Sequence, residues 1–216
     1  MVDFAHYRSS ARAQAAKQSK SVTDYLIEFD KRYAPELCMA NLRVLQRSMA
    51  DQFVGTKTLN ASLRFITNAV KNTKLRKLLN DHINDILFKL TMPLMVMTHE
   101  EGRLWQENQI EYVRMQIDLS NPWNVKRTNQ DLIKTICNIK KTRKNKVSEN
   151  LSNYLQMIAQ NLQQQAQPSA DFREKEAVMH AFGLLNLHIA ADKGFCQTAV
   201  QLLQSTCFNE LESDIG

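Results

Sequence analysis

The sequence predicts an all-α fold in which paired amphipathic helices stack on one another. Hydrophobic residues make up 44% of the 216 residues, which is enough to bury a sizeable core. The chain has only five glycines and four prolines, and this scarcity disfavours a turn-rich β-sandwich or barrel. Apolar residues also recur at helical spacing along most of the chain. Helix is therefore the expected conformation nearly throughout.

A first pair of helices is predicted after a polar N-terminal segment that covers residues 1–20. The first helix has an apolar face from Val22 to Tyr33. Pro35 can begin the second helix, because its missing N–H is not needed in the first turn. The apolar face of the second helix is formed at helical spacing by Cys38, Leu42, Leu45, Met49 and Phe53. Gly55 is expected to end this helix.

A second pair follows. The third helix carries Leu59, Leu63, Ile66 and Val70, and Asn72 with Thr73 marks its end. The fourth helix fits the helical template best, so we expect one continuous core helix. Its apolar residues are Leu75, Leu78, Leu79, Ile83, Ile86, Leu87 and Leu90. Pro93 is expected to kink its end.

A loop and a short helix are predicted as an insertion near residues 98–122. The loop is the polar, acidic stretch from Thr98 to Gly102, and the short helix runs from about Glu111 to Ile117. Trp105 and Trp123 flank this helix. We expect both tryptophans to pack the insertion against neighbouring helices rather than to bind a ligand.

Two further pairs complete the chain. A helix marked by Leu132, Ile133, Ile136 and Ile139 leads into a basic run, and its partner extends from Val147 to Leu162. Asp171 and Glu174 form a capping box for a helix that reaches Ile189. A last helix is expected from Phe195 to Leu203. The basic run consists of Lys140, Lys141, Arg143, Lys144 and Lys146.

The helices recur in pairs after roughly 38 to 48 residues, the interval typical of two-helix repeats of the HEAT or armadillo kind. Residues 21–216 are therefore predicted to form an α-α superhelix, a solenoid of roughly four helix pairs. A single compact helical bundle is the alternative. Such a bundle does not require its helices to come in pairs at a steady interval.

The sequence offers no enzyme chemistry. It lacks the glycine-rich phosphate loops, the G-x-S-x-G turn and the H-E-x-x-H spacing that would mark nucleotide, acyl-transfer or zinc chemistry. Its four cysteines form no C-x-x-C pair, which argues against a zinc site and favours a reducing compartment. We expect Cys137 and Cys207 to fill core positions. No catalytic, metal-binding or cofactor-binding residue is assigned, and no cofactor is expected.

The charge balance and the hydropathy bear on partners. No stretch reaches the about 18 consecutive apolar residues of a membrane span, so a soluble protein without membrane insertion is expected. The formal net charge of +6 favours acidic partners. The run from Lys140 to Lys146 is a candidate contact for phosphate or acidic protein. A solvated helix end is the favoured interpretation, because no aromatic residue lies among these cations to stack on bases.

One stretch carries a family resemblance. Residues 93–118 read PLMVMTHEEGRLWQENQIEYVRMQID, with a Leu-Trp-Gln-Glu motif followed by a Glu-Tyr-Val-Arg-Met motif. This pattern resembles the importin-β superfamily of nuclear transport receptors, and within it the branch of importin seven and importin eight. A second match, in the same order, covers residues 171–177 and 180–183. The motif positions of structural interest are Leu104, Trp105, Glu107, Glu111, Tyr112 and Arg114.

The resemblance implies a function and also shows departures. It implies a non-enzymatic central segment of a receptor that holds protein cargo on a curved surface. The full-length receptor would bind the Ran GTPase and nucleoporins, and would shuttle between cytoplasm and nucleus through the nuclear pore. Asn108 and Gln109 stand where the branch usually has a proline, and the chain as a whole has a formal net charge of +6 where the branch tends to be acidic. An RNA- or RNP-binding helical repeat and a generic interaction scaffold are the alternatives.

Overall fold

The computed structural model describes residues 25, 27–29, 31–117, 121–138, 154, 156–157, 160, 172–186, 196–197, 200–201 and 204. Every regular element within these residues is helical, and the helices pack against one another. The predicted all-α helical-repeat class is thus confirmed for this part of the chain. The chain divides into two compact units, one of Met1–Leu90 with Trp123–Val147 and one of Thr91–Pro122 with Ser148–Gly216.

In the first unit, helix α1 spans Ala34–Met49 and has a proline in its first turn, as predicted. Cys38, Leu42 and Leu45 are fully buried. The helix ends one turn earlier than expected, because Asp51 adopts a left-handed conformation with φ of 53°. Phe53 consequently lies beyond the helix with its side chain 90% exposed. The prediction that Phe53 belongs to the apolar face was wrong.

Helix α2, Thr56–Lys71, is the central element of the first unit. It packs against α1 and also against a later helix, Val125–Cys137. The predicted core residues Leu63, Ile66 and Val70 are fully buried, and Leu59 is nearly so. A partly buried polar contact joins α2 to the later helix, because Asn60 Nδ2 donates to Thr128 Oγ1 at 3.0 Å. This contact favours one register between the two helices.

The predicted fourth helix is not continuous. It consists of α3, Thr73–Leu79, then a turn, the short α4, Ile83–Asp85, and a π-helix, Ile86–Thr91. The turn holds residues with low helix propensity, and the His82 amide donates to Leu79 O at 2.9 Å in a tighter i→i−3 pattern. Leu78 is 41% exposed, so its predicted core role was also wrong. Ile83, Ile86 and Leu87 are fully buried, as expected.

The second unit contains a 3-10 turn, Pro93–Met95, and helices that begin where the sequence predicted a loop. Helix α5, His99–Glu107, and α6, Gln109–Ile117, follow each other across Asn108. Thr98 and Glu101 form a complete capping box at the start of α5, so the expected polar loop is helical. Thr91 Oγ1 and Tyr154 Oη form a buried hydrogen bond of 2.9 Å within this unit.

Helix α7, Val125–Cys137, belongs to the first unit and α8, Phe172–Leu184, to the second. Leu132, Ile133 and Ile136 of α7 are buried, and so are the predicted core residues of the α8 region, Val178, Ala181, Phe182 and Leu185. Predictions for residues 1–20, Ile139, Asp171, Ile189, most of 147–162 and most of the last helix lie outside the described residues. No helix within the described ranges is long and apolar enough to span a bilayer.

Candidate functional site

The motif that carries the family resemblance forms a short helical hairpin in the second unit. The Leu-Trp-Gln-Glu part lies at the end of α5, and the Glu-Tyr-Val-Arg-Met part lies in α6. Asn108 separates them: its amide donates to Leu104 O at 2.7 Å, and its Oδ1 accepts from the Glu111 amide at 3.1 Å. Asn108 therefore caps the start of α6, and it is one of the two residues that stand where the resembling branch usually has a proline.

Trp105 and Tyr112 hold the two helices together. Their rings meet edge to face, with 5.3 Å between centroids and an interplanar angle of 81°. Such a geometry is the preferred one for aromatic pairs and adds about 0.5 to 1.5 kcal/mol to the burial of the rings. Tyr112 is buried and Trp105 is half-buried. The two rings form the inner side of the α5–α6 hairpin.

The Tyr112 hydroxyl connects the hairpin to α8. It donates to Glu176 Oε1 at 3.4 Å, which is a long hydrogen bond. Burial, followed by the negative charges of Glu176 and Glu101, raises the pKa of Tyr112 well above its usual range. Glu176 Oε1 also lies 3.7 Å from His180 Nδ1. Tyr112 thus remains a neutral hydrogen-bond donor at physiological pH.

Glu101 ties the start of α5 to the end of α6. One carboxylate oxygen accepts from the Thr98 amide at 2.8 Å, and the other accepts from Gln116 Nε2 at 3.0 Å. Gly102, on the next position, is buried beside α8, where an added Cβ would lie 3.4 Å from Arg173 Cδ. That distance is an ordinary van der Waals contact with a flexible side chain, so we expect an alanine at this position to be tolerated.

The outer side of the hairpin is exposed. Glu111 and Arg114 lie 3.6 Å apart and Arg103 and Glu107 lie 3.7 Å apart, with all four side chains well solvated. Such exposed pairs contribute little to stability. Helix α6 also exposes apolar side chains at one face, namely Ile110, Val113 and Ile117. The motif thus combines a packed inner side with a mixed apolar and charged outer side.

The basic run from Lys140 to Lys146 lies outside the described residues. Among the described residues no group of histidine, cysteine and acidic side chains is arranged to hold a metal ion. Burial raises the pKa of the Cys38 thiol to about 11 and that of Cys137 to about 12, so both are protonated at physiological pH. Trp123 is 42% exposed, beside Lys57 in the first unit, rather than packed into a core.

Some contacts of the hairpin were not predicted. The capping box could have been found from the spacing of Thr98 and Glu101, which matches the S/T-x-x-E pattern. The contact of Tyr112 with Glu176 joins residues that are 64 positions apart, and it has no local signal in the sequence.

Sequence matches to known proteins support the family resemblance that this motif carries. A sequence model of the Cse1 family matches residues 20–210. The chain belongs to the Cse1 family. Importin-8 of Danio rerio is 24% identical over 198 residues, which is 92% of this chain. Importin-8 of Homo sapiens is 25% identical over 91% of this chain, and an importin beta-like SAD2 homolog of Arabidopsis thaliana is 23% identical over 87% of it.

Membership of the importin-β superfamily, predicted from the Leu-Trp-Gln-Glu and Glu-Tyr-Val-Arg-Met motifs, is therefore confirmed. The chain spans 18% of the length of each of these three relatives. No solved structure gives a significant match to the chain.

Proposed function

We propose that this chain acts as a segment of a nuclear transport receptor and binds protein cargo and transport factors through a helical-repeat surface. The observation that carries the proposal is the extent of the family match, which covers residues 20–210. Relatives named Importin-8 align over more than nine tenths of the chain. The match is thus not confined to one motif.

The geometry of the described residues supports a binding role rather than catalysis. The inner sides of the helices are packed, and α6 presents the apolar residues Ile110, Val113 and Ile117 outward beside charged residues, a mixture typical of protein interfaces. The buried thiols of Cys38 and Cys137 are protonated and unsuited to nucleophilic attack. The protein works without a cofactor in this proposal.

The complete receptor is proposed to bind the Ran GTPase and nucleoporins and to shuttle between cytoplasm and nucleus through the nuclear pore. The test uses the native full-length protein, detected in cells with an antibody against this segment. We expect it in both compartments with enrichment at the nuclear rim. We also expect it to be retained on immobilised Ran loaded with a non-hydrolysable GTP analogue and not on Ran loaded with GDP.

Confinement of the protein to another organelle would contradict the transport proposal. Equal retention on Ran loaded with the GTP analogue and on Ran loaded with GDP would also contradict it. The latter result, combined with stable binding of other proteins, would favour a generic interaction scaffold. A second candidate function is RNA or RNP binding, which the net charge of +6 and the run from Lys140 to Lys146 favour.

A further inference from the structure

The outer side of α6 carries a stripe of apolar residues. Ile110 and Ile117 are seven residues apart, which places them on one line along the helix, and Val113 lies between them. Ile110 is 69% exposed, Ile117 67% and Val113 48%. A single exposed apolar residue is ordinary on a protein surface, but three that adjoin on one short helix form a patch. We refer to Ile110, Val113 and Ile117 as the α6 stripe.

A charged pair lies along one edge of the α6 stripe. At 3.6 residues per turn, Val113 lies roughly 50° to one side of the line through the two isoleucines, and Arg114 lies roughly 50° to the other side. Glu111 lies roughly 60° further round than Arg114. The Arg114 and Glu111 side chains are 3.6 Å apart and well exposed. The outer side of α6 therefore has an apolar half and a charged half.

The inner side of α6 is held by α5, which fixes the direction in which these two halves point. The Tyr112 ring contacts the Trp105 ring edge to face, with 5.3 Å between centroids. Gln116 Nε2 donates to Glu101 Oε1 at 3.0 Å. A partner therefore meets a surface that is already ordered, and less free energy is lost in binding than on a loose segment.

The two halves of the outer side distinguish between the ways in which two copies of α6 can pack face to face. A two-fold axis perpendicular to the helices makes the pair antiparallel, and then apolar half meets apolar half and charged half meets charged half. A two-fold axis parallel to the helices makes the pair parallel, and then each apolar half meets a charged half. The outer side of α6 is therefore complementary to itself in the antiparallel arrangement.

The antiparallel arrangement also matches individual residues. When the axis passes at the level of Val113, the rise of 1.5 Å per residue brings Ile110 of one copy within about 1.5 Å of the height of Ile117 of the other. The same rise brings Glu111 of one copy within about 1.5 Å of the height of Arg114 of the other. Val113 meets its own symmetry equivalent. Charges of opposite sign placed across a helix pair in this way set its orientation.

We propose that the α6 stripe and the adjoining Glu111–Arg114 pair form the interface of a symmetric, antiparallel dimer of this chain. The charge complementarity of the outer side with itself is the reason for a second copy as the occupant. A nine-residue helix covers less than the about 800 Å² per partner of a standard interface, so the dimer is weak, with a dissociation constant on the order of 100 µM. The proposal goes beyond the transport function, and neither requires the other.

The test measures self-association of the full chain by sedimentation velocity, from low to high micromolar concentrations. Arg114→Glu makes the charged half of α6 entirely acidic, and Glu111→Arg makes it entirely basic. Each variant is studied alone and in an equimolar mixture with the other. The control variant, Arg103→Glu, changes the net charge as Arg114→Glu does, but within the exposed Arg103–Glu107 pair of α5.

We expect each of the two α6 variants alone to associate at least about tenfold more weakly than the wild type, because like charges then face each other across the two-fold axis. The mixture should associate at least as tightly as the wild type, since an acidic half then faces a basic half. Such a recovery also shows that both variants are folded. The control variant should associate within about twofold of the wild type.

Three results would overturn the proposal. The first is a wild-type chain that stays monomeric over the whole concentration range. The second is self-association that the two α6 variants leave unchanged, which would place the interface elsewhere. The third is a mixture that associates no better than either variant alone. A monomeric wild type that binds a different protein through Ile110 and Ile117 belongs to the first result, because the α6 stripe would then serve another partner.

Discussion

At the scale of single residues, Tyr112 shows how the motif acts on stability. Its ring contacts Trp105, and its hydroxyl donates to Glu176 across the boundary between α6 and α8. The ring contact could be anticipated, because both aromatic residues belong to the motif and lie on neighbouring helices. The hydroxyl contact could not, because the position of α8 beside α6 depends on long-range packing that no short sequence pattern encodes.

Tyr112→Phe should make the protein less sensitive to alkaline pH. The folded-state pKa of Tyr112 is raised above its ordinary value of 10.0, so the neutral hydroxyl stabilises the folded state below that pH. The stabilisation is fully present below pH 10 and declines as pH rises toward the folded-state pKa. Urea unfolding of wild type and variant at pH 8 and pH 11 measures it.

The free energy of unfolding of the wild type should fall more between these two pH values than that of the Tyr112→Phe variant. At pH 8 the variant should lose about 1 kcal/mol or less, because it keeps the ring and loses one long hydrogen bond. The raised pKa values of Cys38 and Cys137 affect both proteins alike and cancel in the comparison. Parallel pH dependences would show that the hydroxyl is solvated.

At the scale of elements, most helix positions follow from the sequence and their interruptions do not. The apolar faces of α1, α2 and α7 were predictable, because spacing alone defines them. The break at residues 80–82 and the π-helix that follows depend on how the preceding turn packs, so the continuous spacing from Leu75 to Leu90 was misleading.

Ile86→Asp should unfold the first unit, whereas Leu78→Asp should not. Ile86 is fully buried, and an aspartate there would place an unpaired charge among apolar side chains at a cost of about 3 kcal/mol or more. Leu78 is the matched control, since it is 41% exposed on the same stretch of chain. Thermal unfolding followed by circular dichroism compares the two. An unchanged melting temperature for Ile86→Asp would show that this face is solvated.

Thr98→Ala should lower the free energy of unfolding by about 1 kcal/mol, because the Glu101 amide loses its capping acceptor. Thr56→Ala is the control, since Thr56 follows an N-cap glycine whose helix has no side-chain cap. Its effect should stay within about 0.5 kcal/mol. Chemical denaturation measures both variants. Equal effects would mean that the capping box contributes nothing beyond ordinary helix propensity.

At the scale of the whole molecule, the run from Lys140 to Lys146 contributes five positive charges to the formal net charge of +6. The family match favours protein partners for the molecule as a whole. A nucleic-acid binder loses affinity for its nucleic acid steeply as the salt concentration rises, because each phosphate contact releases counterions. The salt dependence of oligonucleotide binding therefore tests whether the molecule is a nucleic-acid binder.

Replacing Lys140, Lys141, Arg143, Lys144 and Lys146 with glutamine should leave nucleic-acid binding weak and nearly unchanged. A solvated helix end contributes roughly 0.3 to 1 kcal/mol per charge to stability and forms no specific phosphate site. Anisotropy titrations with a labelled oligonucleotide at two salt concentrations measure affinity and salt slope. A large loss of affinity, with a slope flatter by about 0.7 per lost single-strand contact, would favour the RNA-binding alternative.

The placement of α2 between α1 and α7 has a consequence for biosynthesis. The apolar side of α2 that meets α7 is complete once Lys71 leaves the ribosome, but its partner is complete only at Cys137. At a translation rate of about 5 to 20 residues per second, this interval lasts on the order of 3 to 13 s. During that time Leu63 and Ile66 lack part of their final cover, and the Asn60 amide has not yet met Thr128. The nascent chain therefore passes through an aggregation-prone stage that a molecular chaperone would shorten or shield.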